Sequence, residues 1–365
     1  MFSPFMYFKN NKKSAAIVIS ILSLSVFCIY YISTLIASVY TTSKVANTSL
    51  FEKFSLVTYV GESENVKESK KLLIDKIGDE CQIYDTYISF ASIKTVFGTT
   101  SAYLLFFENQ DNLQDIFNKY NLSLTGGNMP SLGEKELILH ENILKNKNLS
   151  VGDTVGEFVI SGSFKGDVNV GLGYMNGDMR QAFDNLNPSY LIYSSEGLFD
   201  QLNSDISKLD EDNWDTYTYT KMLDKLDEEF ETTNIILLIV VIMISFCLSI
   251  AVAAMMFSIY AGRYNEFAIL NAIGYKKKSI HNMVISENII LSVLSWCIGF
   301  LLSLMFLFLT NKLIYEGMGQ QMSIINEDSI RYTLILPAVS VMGTVLPVLS
   351  KLSKTDLINI IEGRN

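Results

Sequence analysis

The chain has little cysteine and little histidine, with four Cys and two His among its 365 residues. Cys28, Cys247 and Cys297 lie in apolar runs, and Cys81 alone lies in the polar middle of the sequence. A single Cys in that region cannot close an internal disulfide, so no disulfide framework is readable. No Cys-x-x-Cys pair and no His/Cys spacing of a metal site occurs, so we predict no metal site.

Phosphate-binding and hydrolytic motifs are also missing. No G-x-x-x-x-G-K-[ST] sequence occurs, so the chain has no P-loop of its own. No H-E-x-x-H and no G-x-S-x-G occurs, and we predict that the chain is not an enzyme. The glycine-rich run GDVNVGLGYMNGD, 166–178, lacks the third glycine of a dinucleotide fingerprint. We interpret this run as a flexible surface loop.

Four segments carry almost no charge. A helix rises about 1.5 Å per residue, so about 20 apolar residues cross the hydrocarbon core of a bilayer. Proline inside such a helix is tolerated where neighbouring groups satisfy the freed backbone. The sequence therefore predicts an α-helical membrane protein with four transmembrane helices, at 15–38, 234–261, 283–311 and 332–350.

The first apolar segment has a second interpretation. Lys9, Lys12 and Lys13 precede it, as basic residues precede the core of a cleaved signal peptide. However, its apolar run exceeds the about 7–15 residues of a signal core, and no small-x-small cleavage site ends it. We expect an uncleaved span.

Lysine and arginine predict the orientation in the cell membrane, because they collect on the cytoplasmic side. Basic residues are in excess in 1–14, 262–282 and 351–365, which places both termini in the cytoplasm. The loop 312–331 and the large segment 39–233 are then extracytoplasmic. Residues 40–233 carry 16 Lys and Arg against 31 Asp and Glu, which argues against nucleic acid as a partner.

The extracytoplasmic segment alternates predicted strands and helices. This order, repeated twice, predicts an α+β domain of two small α/β lobes on helical stalks. Met222, Leu226 and Phe230 recur at every fourth position without Gly or Pro, so a stalk continues into the second span. Residues 39–54 are the candidate for the matching stalk. The strands are predicted at 54–60, 81–90, 102–108, 135–141, 157–166 and 188–194, and the helices at 64–78, 112–120 and 196–209.

A compact basic stretch, RYNEFAILNAIGYKKKSI, 263–280, lies between the second and third spans. Gly274 fits a helix C-cap, and the lysine triplet 276–278 just after it favours the negative end of the helix dipole. The same lysines could serve only as topology determinants beside anionic lipid.

Glu287 is a carboxylate within the third predicted span, where a charge is costly and marks a candidate functional contact. Its position near the cytoplasmic end leaves two structural alternatives open. The carboxylate could be solvated, or it could pair with the lysine triplet.

This arrangement resembles the MacB/FtsX-type permeases of ABC transporters. Arg263, Glu266, the Ala-Ile-Gly step at 272–274 and the lysines after it match the family's cytoplasmic motif, and Glu287 matches its acidic position at the third span. Asn271 stands where the family has Arg. Two further segments are similar to the family's, the tail LSKTDLINIIEGRN and the run GEKELILHENILKNKNLSVGDTV.

The resemblance implies that 263–274 is a coupling helix that touches a separate ABC ATPase on the cytoplasmic side. Its ATPase-coupling residues would be Arg263, Glu266, Phe267, Leu270 and Gly274, with Phe267 and Leu270 filling an apolar groove. ATP and magnesium would be bound by the ATPase, and this chain would hold no cofactor. A second permease copy, identical or not, would complete the complex in the lipid bilayer.

The resemblance also implies a function. ATP hydrolysis would move the extracytoplasmic domain by mechanotransmission, for export or extraction of a peptide, an antibiotic or a lipid-linked substrate. The alternative is a regulator without transport that activates a cell-wall hydrolase or a sensor partner. A third interpretation, an adhesive or sensory module on a membrane anchor, leaves the last three spans and the cytoplasmic motif unexplained.

Overall fold

The structure, a computed structural model, describes residues 12–78, 81–95, 98–194, 198–209, 211–320 and 322–354. It divides into two compact units. The helical unit comprises Met1–Ala37, Thr232–Thr310 and Ser323–Asn365. The sheet unit comprises Ser38–Glu231 and Asn311–Met322, so part of the predicted loop 312–331 packs with the large middle segment.

The helices include four long ones and several short ones. Short 3-10 or π turns occur at Ser49–Glu52, Ser63–Glu68, Asn311–Tyr315 and Glu316–Met318. The α-helices are, in chain order, α1 (Lys12–Thr48), α2 (Ser69–Ile77), α3 (Gln110–Lys119), α4 (Glu141–Lys147), α5 (Gly177–Asn185), α6 (Phe199–Ile206), α7 (Tyr219–Gly262), α8 (Tyr264–Ala272), α9 (Lys277–Thr310) and α10 (Glu327–Lys354).

Among the described residues, three segments are long and apolar enough to cross a membrane: Lys12–Glu52, Tyr219–Gly262 and Lys277–Met318. They contain the first three predicted spans. The fourth, 332–350, lies in α10, and its crossing stays a prediction.

Helix α10 begins earlier than the sequence indicated, because residues 327–331 were expected in a loop. The Asn326 side chain accepts a hydrogen bond from the Ser329 backbone N–H at 2.9 Å, which caps the helix. Glu327 and Asp328 lie in the first turn, where the helix dipole favours negative charge.

Both predicted stalks are helical. Helix α7 runs without a break from Tyr219 to Gly262, and α1 continues to Thr48. Within the sheet unit the two stalks touch, because the Tyr40 hydroxyl donates to Asp227 and the Tyr40 and Phe230 rings lie 5.2 Å apart.

The strands form one sheet. They are β1 (Phe54–Tyr59), β2 (Gln82–Thr95), β3 (Gly98–Phe107), β4 (Ser123–Gly127), β5 (Glu136–His140), β6 (Thr154–Val155), β7 (Phe158–Lys165), β8 (Gly171–Tyr174), β9 (Ser189–Tyr193) and β10 (Trp214–Tyr217). Their order in the sheet is β10-β1-β9-β2-β3-β8-β5-β7-β4, with β6 paired to β7. Alternate residues face opposite sides, so Leu104 and Phe106 lie in one core while Leu105 and Phe107 lie in the other.

The two predicted lobes are thus not separate sheets among the described residues. The long hairpin β2–β3 joins them, because β2 pairs with β9 on one side and β3 pairs with β8 on the other.

The glycine-rich run 166–178 is not a surface loop, because it contains the fully buried strand β8. A Cβ added at Gly171 would lie 2.4 Å from Leu104 Cδ2, and one added at Gly173 would lie 2.9 Å from Phe106 Cδ1. The glycines therefore allow neighbouring side chains to cross a central strand closely.

Helices α1 and α9 pack closely in the helical unit. Ser295, Gly299 and Ser303 recur at every fourth position of α9, and small residues at this spacing let helix backbones approach. Ser23 Oγ donates to the Ser295 carbonyl at 2.9 Å, and Ser303 Oγ donates to the Phe27 carbonyl at 3.3 Å.

Candidate coupling site

The chain turns between α7, α8 and α9 within the helical unit. At the end of α8, Gly274 has φ +101°, its N–H donates to the Asn271 carbonyl, and the Tyr275 N–H donates to the Leu270 carbonyl. These two bonds form a Schellman motif, which needs a left-handed residue after the helix. Gly274 thus ends the helix from the position just after the C-cap residue Ile273, one residue later than a C-cap at Gly274 itself, and its coupling role stays a prediction.

Arg263 lies at the start of α8 and binds two carboxylates. Its Nη1 and Nη2 donate to the Glu287 carboxylate at 2.8 and 3.3 Å, and its Nε donates to Glu266 Oε2 at 3.0 Å. Glu287 is only 2% exposed. A two-point contact between guanidinium and carboxylate fixes the direction of both side chains.

Two polar residues complete this cluster, which we call the Arg263 network: Arg263, Glu266, Glu287, Tyr260 and Asn288. The Tyr260 hydroxyl donates to Glu287 Oε2 at 3.4 Å, and Asn288 Nδ2 donates to the Tyr260 hydroxyl at 3.1 Å. Tyr260 belongs to α7, Glu266 to α8, and Glu287 and Asn288 to α9, so the network ties three helices together.

Aromatic rings cover the guanidinium. Its Cζ lies 5.1 Å from the centre of the Phe267 ring and 5.7 Å from that of Tyr260, within the range of cation–π attraction. Burial acts to lower the pKa of Arg263, but hydrogen bonds and charge from Glu287 and Glu266 outweigh it and raise that pKa above its ordinary value. Arg263 is therefore charged at every physiological pH.

Neither structural alternative for Glu287 holds. The carboxylate is buried rather than solvated, and it pairs with Arg263 rather than with the exposed lysine triplet 276–278. Tyr260 and Asn288 were missed by the sequence reasoning, because each looks like an ordinary residue near a helix end. The ion pair of Arg263 and Glu287 could have been found from the sequence, because a buried carboxylate needs a cation and Arg263 stands at the start of the preceding helix.

The expectation that Phe267 fills an apolar groove of the ATPase must be corrected. Its side chain is 0% exposed and lies in the core of the helical unit beside Tyr260, so it does not offer an anchor to another protein. Leu270 is half-buried against the same core. The segment 267–270, Phe-Ala-Ile-Leu, is apolar on all sides, so spacing alone could not show which face turns inward.

The outward face of α8 carries different apolar residues. Ile269 is 55% exposed, and Ile273, the C-cap residue just after the end of α8, is 70% exposed, one turn further along. Glu266 is exposed on the same helix. Ile273 and Tyr275 also line a shallow groove of about 500 Å³ together with Lys276 and Lys278. We call Ile269 and Ile273 the outer isoleucine pair.

The described residues contain no group of three or more His, Cys, Asp or Glu side chains that lie close enough together to hold a metal ion.

Residues 237–357, which enclose the Arg263 network and the outer isoleucine pair, match the FtsX-like permease C-terminal family. The resemblance inferred from the sequence is confirmed over this part of the chain. No curated protein matches the chain.

Two solved structures are similar to the chain at low identity. One is the extracellular domain of the noncanonic ABC-type transporter YknZ from Gram-positive bacteria, 14% identical with a TM-score of 0.26, covering 42% of this chain and 88% of its own. The other is the periplasmic region of MacB from Actinobacillus actinomycetemcomitans, 11% identical with a TM-score of 0.29, covering 50% of this chain and 94% of its own. Both TM-scores are low, so neither likeness establishes the fold or function of this chain.

Proposed function

We propose that this chain, which carries an FtsX-like permease C-terminal domain at 237–357, is the permease subunit of an ABC transporter. It couples ATP hydrolysis by a separate ATPase subunit to motion of its extracytoplasmic domain. The family match carries the proposal, because it encloses the turn 262–282, where an exposed apolar pair and a buried ion pair lie together between two long apolar helices.

The outer isoleucine pair is the proposed contact with the ATPase. Two exposed β-branched residues one turn apart form the apolar stripe by which a helix enters a groove. Glu266 lies beside this apolar pair and is held by Arg263, so it can make an oriented polar contact at the edge of the ATPase groove. Gly274 ends the helix and lets Ile273 stand at its exposed tip.

The Arg263 network is the proposed relay. A displacement of α8 by the ATPase would be transmitted to α7 through Tyr260 and to α9 through Glu287 and Asn288. Helix α7 then continues to Tyr219 with no Gly or Pro before Gly262, so no kink-forming residue interrupts the path to the stalk.

The rest of the assembly follows from the same proposal. The turn 262–282 and both termini lie in the cytoplasm, four helices cross the cell membrane, and a second permease copy completes the complex. ATP and magnesium are held by the ATPase. The work performed on the outer side is export or extraction of a peptide, an antibiotic or a lipid-linked substrate.

Copurification from native membranes tests the contact. An Ile269→Asp, Ile273→Asp double variant is expected to lose a P-loop ATPase that the tagged wild-type chain retains, because unpaired carboxylates would enter an apolar groove. Ile325→Asp is the matched control, because Ile325 is comparably exposed and lies outside the turn. Retention by the double variant, or absence of any P-loop protein from the wild-type sample, would overturn the proposal.

A further inference from the structure

A cavity of about 650 Å³ lies within the sheet unit. This volume falls in the range of about 300–1,000 Å³ that is typical of small-molecule sites. Its walls come from the end of α1, from β2, from α4, from the β7–β8 connection and from the segment 316–320. Because these segments are distant in sequence, the cavity is a product of the tertiary fold.

One wall is fixed by hydrogen bonds. Asn146 Nδ2 donates to the Met318 carbonyl at 3.2 Å, and the Gln320 amide nitrogen donates to the Lys94 carbonyl. Gly319 has φ +64°, and a Cβ there would lie 2.6 Å from the Asn142 carbonyl oxygen. The segment 316–320 is therefore seated closely on α4 and β2 and closes the cavity on that side.

The lining combines amides with small apolar groups. Asn142, Asn169 and Gln320 supply amide donors and acceptors, and Val45 and Ile93 supply apolar surface. Gln320 is only 9% exposed, and its amide oxygen has no hydrogen-bond partner among the described residues. The Gln320 side-chain nitrogen is thus already bonded to the Lys94 carbonyl, whereas its buried oxygen has no donor among the described residues. A buried acceptor of this kind favours a ligand that brings N–H groups.

The charges of the lining are balanced. Lys145 is the cation in the lining and Glu316 is the carboxylate. A phosphate site would need an excess of cationic donors, and an acyl chain would need walls without unsatisfied amides. A peptide backbone presents alternating N–H donors and carbonyl acceptors and has no net charge, so it matches this lining.

We propose that this cavity binds a short peptide segment, with the amides of Asn142, Asn169 and Gln320 facing the backbone and small side chains resting on Val45 and Ile93. This site is separate from the coupling site, and its occupation requires no ATPase.

Saturation-transfer NMR of the full chain in nanodiscs tests the proposal, with tri-alanine as the probe. Tri-alanine is expected to give saturation transfer with a dissociation constant in the millimolar range or below. Val45→Trp fills the cavity from α1 and should weaken binding at least tenfold. Val60→Trp places the same ring at a comparably exposed site outside the cavity and should leave binding unchanged.

Hydrogen exchange over β2 and α4 checks that both variants remain folded. Glu316→Gln and Lys145→Ala provide second variants with little risk to folding, because both side chains are exposed, and each should weaken binding of the zwitterionic probe. Equal binding by wild type and Val45→Trp, no saturation transfer to tri-alanine, or competition by inorganic phosphate or a short-chain phosphatidylcholine would overturn the proposal. None of these outcomes bears on the ATPase contact, because the measurement contains no ATPase.

Discussion

At the scale of single residues, the buried ion pair of Arg263 and Glu287 is expected to contribute most to the stability of the turn 262–282. Its two charges are desolvated; the Tyr260 hydroxyl donates to the Glu287 carboxylate, and Glu266 accepts the remaining hydrogen bond from Nε of Arg263. Removing one partner of such a pair leaves an uncompensated buried charge, which typically costs about 3–5 kcal/mol. Exposed pairs contribute about 0–1 kcal/mol, because water screens them.

Arg263→Ala is therefore expected to destabilise the chain strongly, because the Glu287 carboxylate would be left buried and unpaired. The measurement is the apparent unfolding temperature in nanodiscs. Arg331→Ala is the matched control, since Arg331 pairs with Asp328 at 3.2 Å but is exposed. Arg263→Ala combined with Glu287→Leu should recover part of the loss. Equal shifts for Arg263→Ala and Arg331→Ala would contradict the structural role of the network.

At the scale of elements, the contact between α1 and α9 depends on the absence of a side chain at Gly299. A Cβ there would lie 2.4 Å from the Ser23 carbonyl oxygen, which is backbone and cannot move aside cheaply. Gly299→Val is expected to destabilise the helical unit by at least about 1–3 kcal/mol. The measurement is the thermal unfolding of Gly299→Val. Gly262→Ala is the control, because a Cβ at Gly262 would meet open space. An unchanged Gly299→Val protein would show that the helices do not cross this closely.

The stability of helix α4 is expected to depend on pH. The His140 Nδ1 accepts the Asn142 backbone N–H at 3.1 Å, which caps the helix and requires an unprotonated Nδ1. Burial lowers the pKa of His140 below its usual 6.5. Below that pH the unfolded chain binds more protons than the folded protein, so the stabilisation is complete above about pH 6.5 and is lost as pH falls.

Hydrogen exchange of 141–147 in the full chain, corrected for intrinsic rates, should show lower protection at pH 5.5 than at pH 7.5. His140→Asn keeps an N-cap acceptor that does not titrate, so its protection should not change with pH. The same pH response in both proteins would rule out His140 as its source.

Sequence patterns predicted the elements better than their contacts. Helix α7 was predictable, because a long apolar run follows an amphipathic one without Gly or Pro. Strand β8 was not, because two glycines in a four-residue run look like a loop until Leu104 and Phe106 are seen packed over them. The pairing of Arg263 with Glu287 was not predictable from spacing either, since only the turn through α8 brings those residues together.

At the scale of the whole molecule, the two units are joined by more than one connection. The chain passes between them after Ala37, after Glu231, after Thr310 and after Met322. The segment Asn311–Met322 is anchored in the sheet unit through Asn146 and Gln320. The chain that follows α7 towards its N-terminus and the chain that follows the end of α9 therefore both lead from the helical unit into the sheet unit.

The proposed contact between α8 and an ABC ATPase is tested most directly by a photo-crosslink from the exposed side of this turn in living cells. We replace Ile273 with p-benzoylphenylalanine and, in a separate variant, exposed Leu313, which lies outside the turn. Mass spectrometry then identifies the adducts. We expect the Ile273 position to form an adduct with a protein that has a P-loop and the Leu313 position to form none. Adducts at Ile273 with lipid alone, with proteins that lack a P-loop, or equally from both positions would contradict the claim that this turn couples the chain to an ABC ATPase.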